Sequence, residues 1–207
     1  MKVTAVLFDF GNVLGTFDKP KAAERLANAS PYSSTEILTI ILDGGLEKML
    51  ESGQISETAF CNEVLYRCKI DLSVPDVMRI WGDIFAPNPA IIPIVENLIE
   101  RKVPIGVLSN TNGIHWPYIM DLPVMQMLQR YKAPFTLSYE VGGYKPDAIL
   151  YETALKRLGT KPEETLYLDD IQAYVDAARA LGMHAEQYDC TKDAGAITGI
   201  MQKYNLL

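Results

Sequence analysis

At 207 residues and 48% hydrophobic content, the chain can bury one large core, or one core carrying a smaller inserted unit. Twenty-six acids against 19 bases give a net charge of -7 with no lysine or arginine cluster, which argues against a nucleic-acid backbone as partner. Cys61, Cys68 and Cys190 are odd in number and lack metal-ligand spacing, no leader-like segment opens the chain, and the longest apolar runs fall far below the ~20 residues that span a bilayer. The expectation is a reduced, cytoplasmic setting without a membrane.

In chain order, Val3 to Asp9 is continuously apolar and rich in β-branched residues, as central parallel strands are, and ends in an acid. Ligands of open α/β sheets bind at the carboxyl edge, so Asp9 is a candidate nucleophile or metal ligand. From about Lys19 to Pro87 the rhythm changes to amphipathic patterns (Lys21 to Ala29, Ser34 to Leu42, Glu57 to Cys68, Val74 to Ile84) with no convincing strand. This predicts an all-helical insert whose ends return to the carboxyl edge, where it can roof the site. A helix is expected from Ala90 to Arg101, then a strand from Val103 to Ser109 and a weaker one from Pro134 to Ser138. A helix from Pro146 to Leu158 stopped by Gly159, a strand from Thr165 to Asp170, a helix from Ile171 to Leu181 stopped by Gly182, and a weak strand from His184 to Tyr188 complete the pattern. The alternation predicts an α/β fold, a doubly wound parallel sheet. Residues 1–17 and 88–207 form a Rossmann-like core, and residues 18–87 a helical cap.

Four polar clusters should meet at the sheet edge: Asp9, Ser109-Asn110, Lys145 and Asp169-Asp170. Converging carboxylates make a hard-cation site suited to magnesium, the usual partner of phosphate groups. A lysine neutralises phosphate charge, Ser109 and Asn110 can donate hydrogen bonds to it, and Asp9 can attack phosphorus to form an aspartyl-phosphate. Taken singly, each has a plainer role. Ser109 or Asp170 suits a helix N-cap, and Lys145 before Pro146 suits a solvated surface. Asp9 has no capping role, because a Gly-Asn turn follows it.

The order of these clusters resembles the haloacid dehalogenase superfamily of hydrolases. The matching runs are Phe8-Asp9-Phe-Gly11-Asn12-Val13, Leu108-Ser109-Asn110-Thr111-Asn112, Gly143-Tyr-Lys145-Pro146, and Leu168-Asp169-Asp170 with Ala177 to Gly182. The resemblance implies that the insert is a cap, that Asp9 is the nucleophile, that Ser109 and Asn110 bind phosphate, and that Lys145 orients nucleophile and phosphate. It makes Asp170 a magnesium ligand supported by Asp169, with the carbonyl of residue 11 as a further ligand. It also implies a small phosphorylated metabolite as substrate, for which a sugar phosphate is the expectation.

Phosphatases of this family usually carry a second aspartate, a general acid, where this chain has Gly11. The glycine keeps the carbonyl and loses the proton donor, typically worth ~10²–10⁴-fold in rate. The Gly-Asn-Val form is similar to that of bacterial sugar-phosphate phosphatases. Asp18 and His115 are the candidate replacements; Asp18 reads more readily as the cap of the following helix, and His115 as either donor, substrate ligand or structural histidine. Tyr174 stands where many relatives place an asparagine, and Asp176 is too far along its helix to compensate. Cap residues Lys48, Glu51, Gln54, Arg67 and Lys69 read as a solvated helix face. Two other classes remain open at this point: a metal-free dehalogenase using Asp9 on carbon, which would not need the doubled acid, and a non-catalytic binding protein that has kept the fold.

Overall fold

The computed structural model describes residues 2–207. Its centre is a five-stranded parallel sheet in the order β5-β4-β1-β6-β7, with β1 Ala5–Phe8, β4 Ile105–Ser109, β5 Phe135–Leu137, β6 Thr165–Asp169 and β7 His184–Gln187. Phe8 is level with Val107 of β4 and Leu168 of β6, so Asp9, Ser109 and Asp169 emerge together at one edge. The Asp9 amide is tied to the Leu168 carbonyl at 2.8 Å.

Alternation along the strands divides the core between two helical layers. Val6, Phe8, Val107 and Leu168 face α6 (Ile92–Glu100), α8 (Pro123–Arg130) and α13 (Ala196–Lys203). Leu7, Leu108 and Tyr167 face α10 (Ala148–Leu158) and α11 (Gln172–Ala180). The short helices α7 (Trp116–Met120), α9 (Ser138–Val141) and α12 (Cys190–Asp193) fill the connections.

The insert has a core of its own. It comprises α1 Lys19–Ala27, α2 Ser34–Leu38 running into a π-helical turn over Thr39–Asp43, α3 Leu46–Glu51, α4 Glu57–Arg67 and α5 Val74–Gly82. Leu26, Ile41, Leu50, Phe60, Val77 and Trp81 pack together there, with Cys61 and Cys68 as small buried hydrophobes. The starts of α1, α2, α4 and α5 are capped by Asp18, Ser33, Ser56 and Ser73, a device worth about 1 kcal/mol each. Gly45, at φ +74, turns the chain from the π-helical segment into α3, which the sequence pattern had not marked.

One expectation is corrected at the junction. The insert region was expected to lack strands, yet β2 Gly15–Phe17 pairs antiparallel with β3 Phe85–Pro87, making a ribbon through which the chain leaves and re-enters the core. Three residues are too few to show a period of two, and the partner is remote in sequence. Asn88 secures the ribbon by donating to the Val13 carbonyl at 2.7 Å. No helix among the described residues is long and apolar enough to cross a membrane.

Candidate active site

Lys145 is the hub of the sheet edge. Its ammonium is almost wholly buried and donates to Asp9 Oδ1 at 2.7 Å, Asp169 Oδ2 at 2.6 Å and the Tyr167 hydroxyl at 3.1 Å. The reading of Lys145 as a solvated residue therefore fails. Burial alone would lower its pKa, but the charges of Asp169 and Asp9 outweigh it and hold it above the usual range. The segment carrying it is pinned to the end of β4, because the Lys145 amide donates to Asn110 Oδ1 at 2.9 Å.

Burial pushes the Asp9 carboxyl up to about 7, against the lowering pull of Lys145, with the charges of Asp169 and Asp170 adding to the rise. Asp169 has no exposed surface and both oxygens are engaged: Oδ2 accepts from Lys145 and from the Tyr167 hydroxyl, and Oδ1 accepts from the Ile171 amide at 2.8 Å. Asp170 is only half-buried and takes one side-chain hydrogen bond, from Asn12 at 3.0 Å. Neither Ser109 nor Asp170 caps a helix in the manner open to it. Oxygens of Asp9, Asp169 and Asp170 lie within 4.8 Å of one another, a spacing one cation can bridge.

Above the edge lies a cavity of about 130 Å³, small beside the ~300–1,000 Å³ of pockets for drug-sized ligands. Asp9, Gly11, Ser109, Asn110, Lys145 and Asp170 form its floor, and Phe17, Lys19, Glu51, Phe85, His115 and Tyr144 its walls and roof. A Cβ at position 11 would meet the Phe17 ring at 3.0 Å, tighter than ordinary contact, so a side chain there would require the ring to shift. Tyr174 lines the same space, its ring centre 5.0 Å from the Lys145 ammonium.

Asp18 is exposed and its carboxylate accepts from the Lys21 amide at 3.0 Å, the capping role that its position suggested. His115 does line the cavity, but burial and the charge of Lys19 drive its pKa down to about 3, while the Trp81 carbonyl, beyond hydrogen-bond geometry, pulls weakly the other way. Its ring is neutral. Asn112 Oδ1 accepts from the amides of Ile114 and His115, which turns its NH₂ toward His115 Nδ1 at 3.0 Å. Nδ1 is thus the acceptor, the proton sits on Nε2, and Nε2 is buried without a partner.

The residues missed by sequence reasoning are in the roof. Glu51, expected on a solvated face, is only 7% exposed and faces the cavity from the end of α3. Glu47, one turn earlier, binds Lys19 at 2.6 Å. The only sequence signal was the Glu-x-x-x-Glu spacing, which places both carboxyls on one helix face.

A carboxylate directly after β1, a lysine shared between two strand-end acids and a helical unit inserted after β1 are the features expected of a hydrolase of the haloacid dehalogenase type. The chain belongs to that family: residues 3–182 match the model of haloacid dehalogenase-like hydrolases. It is 24% identical over 191 residues, 88% of this chain and 90% of the relative, to a D-ribitol-5-phosphate phosphatase of Bacteroides thetaiotaomicron. It is 26% identical over 197 residues, 91% of this chain and 88% of the relative, to a phosphatase of Mycobacterium tuberculosis. A family enzyme of Bacteroides thetaiotaomicron, solved with magnesium and inorganic phosphate, superposes with a TM-score of 0.80 at 21% identity, covering 94% of this chain and 98% of that one.

Proposed function

We propose that the chain is a magnesium-dependent phosphatase of a small phosphomonoester, a sugar or polyol phosphate, acting through an aspartyl-phosphate on Asp9. The observation that carries this reading is the Asp9 carboxylate, held by Lys145 through one oxygen at the floor of a small cavity. Phosphatases among the full-length relatives support the reaction class, and the D-ribitol-5-phosphate enzyme supports the substrate class. The donor set fits magnesium: Asp9 and Asp170 each keep an oxygen that Lys145 or Asn12 does not occupy, and Gly11, whose carbonyl the resemblance makes a further ligand, lines the same cavity. When bound, the ion would neutralise phosphate charge and polarise phosphorus. The engagement of both Asp169 oxygens supports a different role for that residue, orienting Lys145 instead of ligating.

In this reading Ser109 and Asn110 hold the phosphate, and Lys145 fixes the carboxylate while countering the charge that builds on the transferred group. Asp9 attacks phosphorus in line, the bond to the alcohol oxygen breaks, and water then cleaves the aspartyl-phosphate. A magnesium-supplemented screen of phosphorylated metabolites with Asp9→Asn as blank tests it. Hydrolysis is expected from the wild type alone and is abolished by chelator. Turnover of a haloacid that survives chelation would instead favour dehalogenase chemistry, and hydrolysis retained by Asp9→Asn would overturn the role of Asp9.

A further inference from the structure

We propose that Glu51, delivered by the cap, is the proton donor to the leaving oxygen, replacing the acid that Gly11 cannot supply. The inference rests on the phosphatase reading and adds a catalytic residue to it. Three observations converge on Glu51. The usual place holds no acid, since Gly11 has no side chain, and a Cβ there would press on the Phe17 ring at 3.0 Å. Asp18 is turned away as a helix cap and His115 is held neutral, its one proton on Nε2. Glu51 comes from the helical insert and lines the same cavity as Asp9.

The roof is also built to keep this carboxyl protonated. Glu47, Glu51 and His115 bring ligand atoms within 4.8 Å of one another, and Lys19 is the single cation among them. That ammonium is already bound to Glu47 at 2.6 Å, which leaves Glu51 without an ion pair of its own. Burial pushes the Glu51 carboxyl up to about 8, with the charge of Glu47 adding to the rise. Lys19 from α1, together with Tyr144 and Lys145 from the segment after α9, pulls the other way and does not prevail. His115, facing the cluster from the loop before α7, adds no charge. Lys19, Tyr144 and Tyr174 also face the cavity, but burial and the neighbouring acids hold the two tyrosines above their usual range, and Lys19 is likewise raised by Glu47 and Glu51. Glu51 alone among the roof groups carries a proton that it can release near neutrality.

The step balances. As the Asp9 oxygen bonds to phosphorus, the phosphorus–oxygen bond of the ester breaks and its electron pair goes to the alcohol oxygen. That oxygen takes the Glu51 proton and leaves as the free alcohol, and Glu51 is left as a carboxylate. In the second step the same carboxylate accepts a proton from the attacking water, the phosphorus–Asp9 bond breaks, and phosphate leaves with Glu51 protonated again.

The test compares Glu51→Gln with wild type on two esters: the best alkyl phosphate of the metabolite screen, whose alcohol needs a proton, and p-nitrophenyl phosphate, whose phenolate does not. In kcat/KM, which reports events up to departure of the alcohol, Glu51→Gln should lose ~10²–10⁴-fold on the alkyl ester and stay within a few-fold on the aryl ester. Glutamine has the shape of the protonated acid, so folding should survive. If it does not, the wild-type pH profiles decide: a basic limb near pH 8 on the alkyl ester and none there on the aryl ester supports the assignment, and matching profiles overturn it. Equal losses on both esters, or none on either, also overturn it. A wild type no better than Asp9→Asn on both esters means that the phosphatase reading has itself failed.

Discussion

The floor and the roof of the cavity solve the same electrostatic problem with opposite outcomes. Each encloses one lysine among more acids than it can neutralise. On the floor Lys145 joins Asp9 and Asp169, and the acid left over is Asp170, half-buried and hydrogen-bonded to Asn12. In the roof Lys19 takes Glu47, and the acid left over is Glu51, enclosed and pushed up to about 8. A surplus carboxylate that keeps contact with solvent and a donor suits a cation; one that is enclosed beside another acid keeps a proton. The two halves of the proposed reaction, charge neutralisation below and proton delivery above, follow from that difference in enclosure.

Removing the floor's lysine breaks the comparison most severely. Lys145→Met leaves Asp9 and Asp169 buried without their counter-charge, and breaking such a buried pair typically costs about 3–5 kcal/mol. Urea unfolding should show a loss of that size, and phosphatase activity should fall to the level of Asp9→Asn. A loss under about 1 kcal/mol would mean that the pair is solvated in solution, as surface pairs are.

The smaller perturbations lie in the roof. His115→Ala removes a buried ring that packs edge-on against Phe85 at 5.2 Å and takes away the unpartnered Nε2 proton. If that proton meets a substrate hydroxyl, the loss is one hydrogen bond of about 0.5–1.5 kcal/mol, a fall of up to about tenfold in kcat/KM. The effect should be the same for alkyl and aryl esters, which distinguishes it from Glu51→Gln. Glu47→Gln should act on pH dependence instead. The Glu47 charge raises Glu51, so its removal lowers Glu51, and a lower pKa leaves the donor ionised at a lower pH. The basic limb of kcat/KM on the alkyl ester should therefore move toward acid. A limb that stays fixed or moves toward base would detach Glu47 from Glu51.

The floor was legible in the sequence and the roof was not, for a physical reason. Parallel strands buried on both faces are continuous apolar runs, so Asp9, Ser109 and Asp169 announce themselves as the polar residues that end them. Lys145 was located by its order among those clusters, although alone it resembled a surface lysine. The roof residues sit on α3, six residues long and entered through Gly44-Gly45, too short to show helical periodicity and rich in residues that usually face water. Whether such glutamates are solvated depends on the cap closing over the core, a tertiary fact. Tyr174 is a similar case: its sequence position suggests a lost polar group, and the structure shows a ring against the Lys145 ammonium with its hydroxyl 3.5 Å from the Asn110 side chain.

Asp18→Ala marks the lower end of the scale and bounds the roof from outside. The carboxylate is exposed and accepts from the Lys21 amide, so its loss removes a helix cap and nothing in the cavity. The cost should be about 1 kcal/mol in urea unfolding, with kcat/KM on the alkyl ester unchanged and its basic limb in place. His115→Ala should therefore lower turnover more than Asp18→Ala. A basic limb lost in Asp18→Ala would move the proton donor from α3 to the start of α1, and would end the asymmetry between floor and roof.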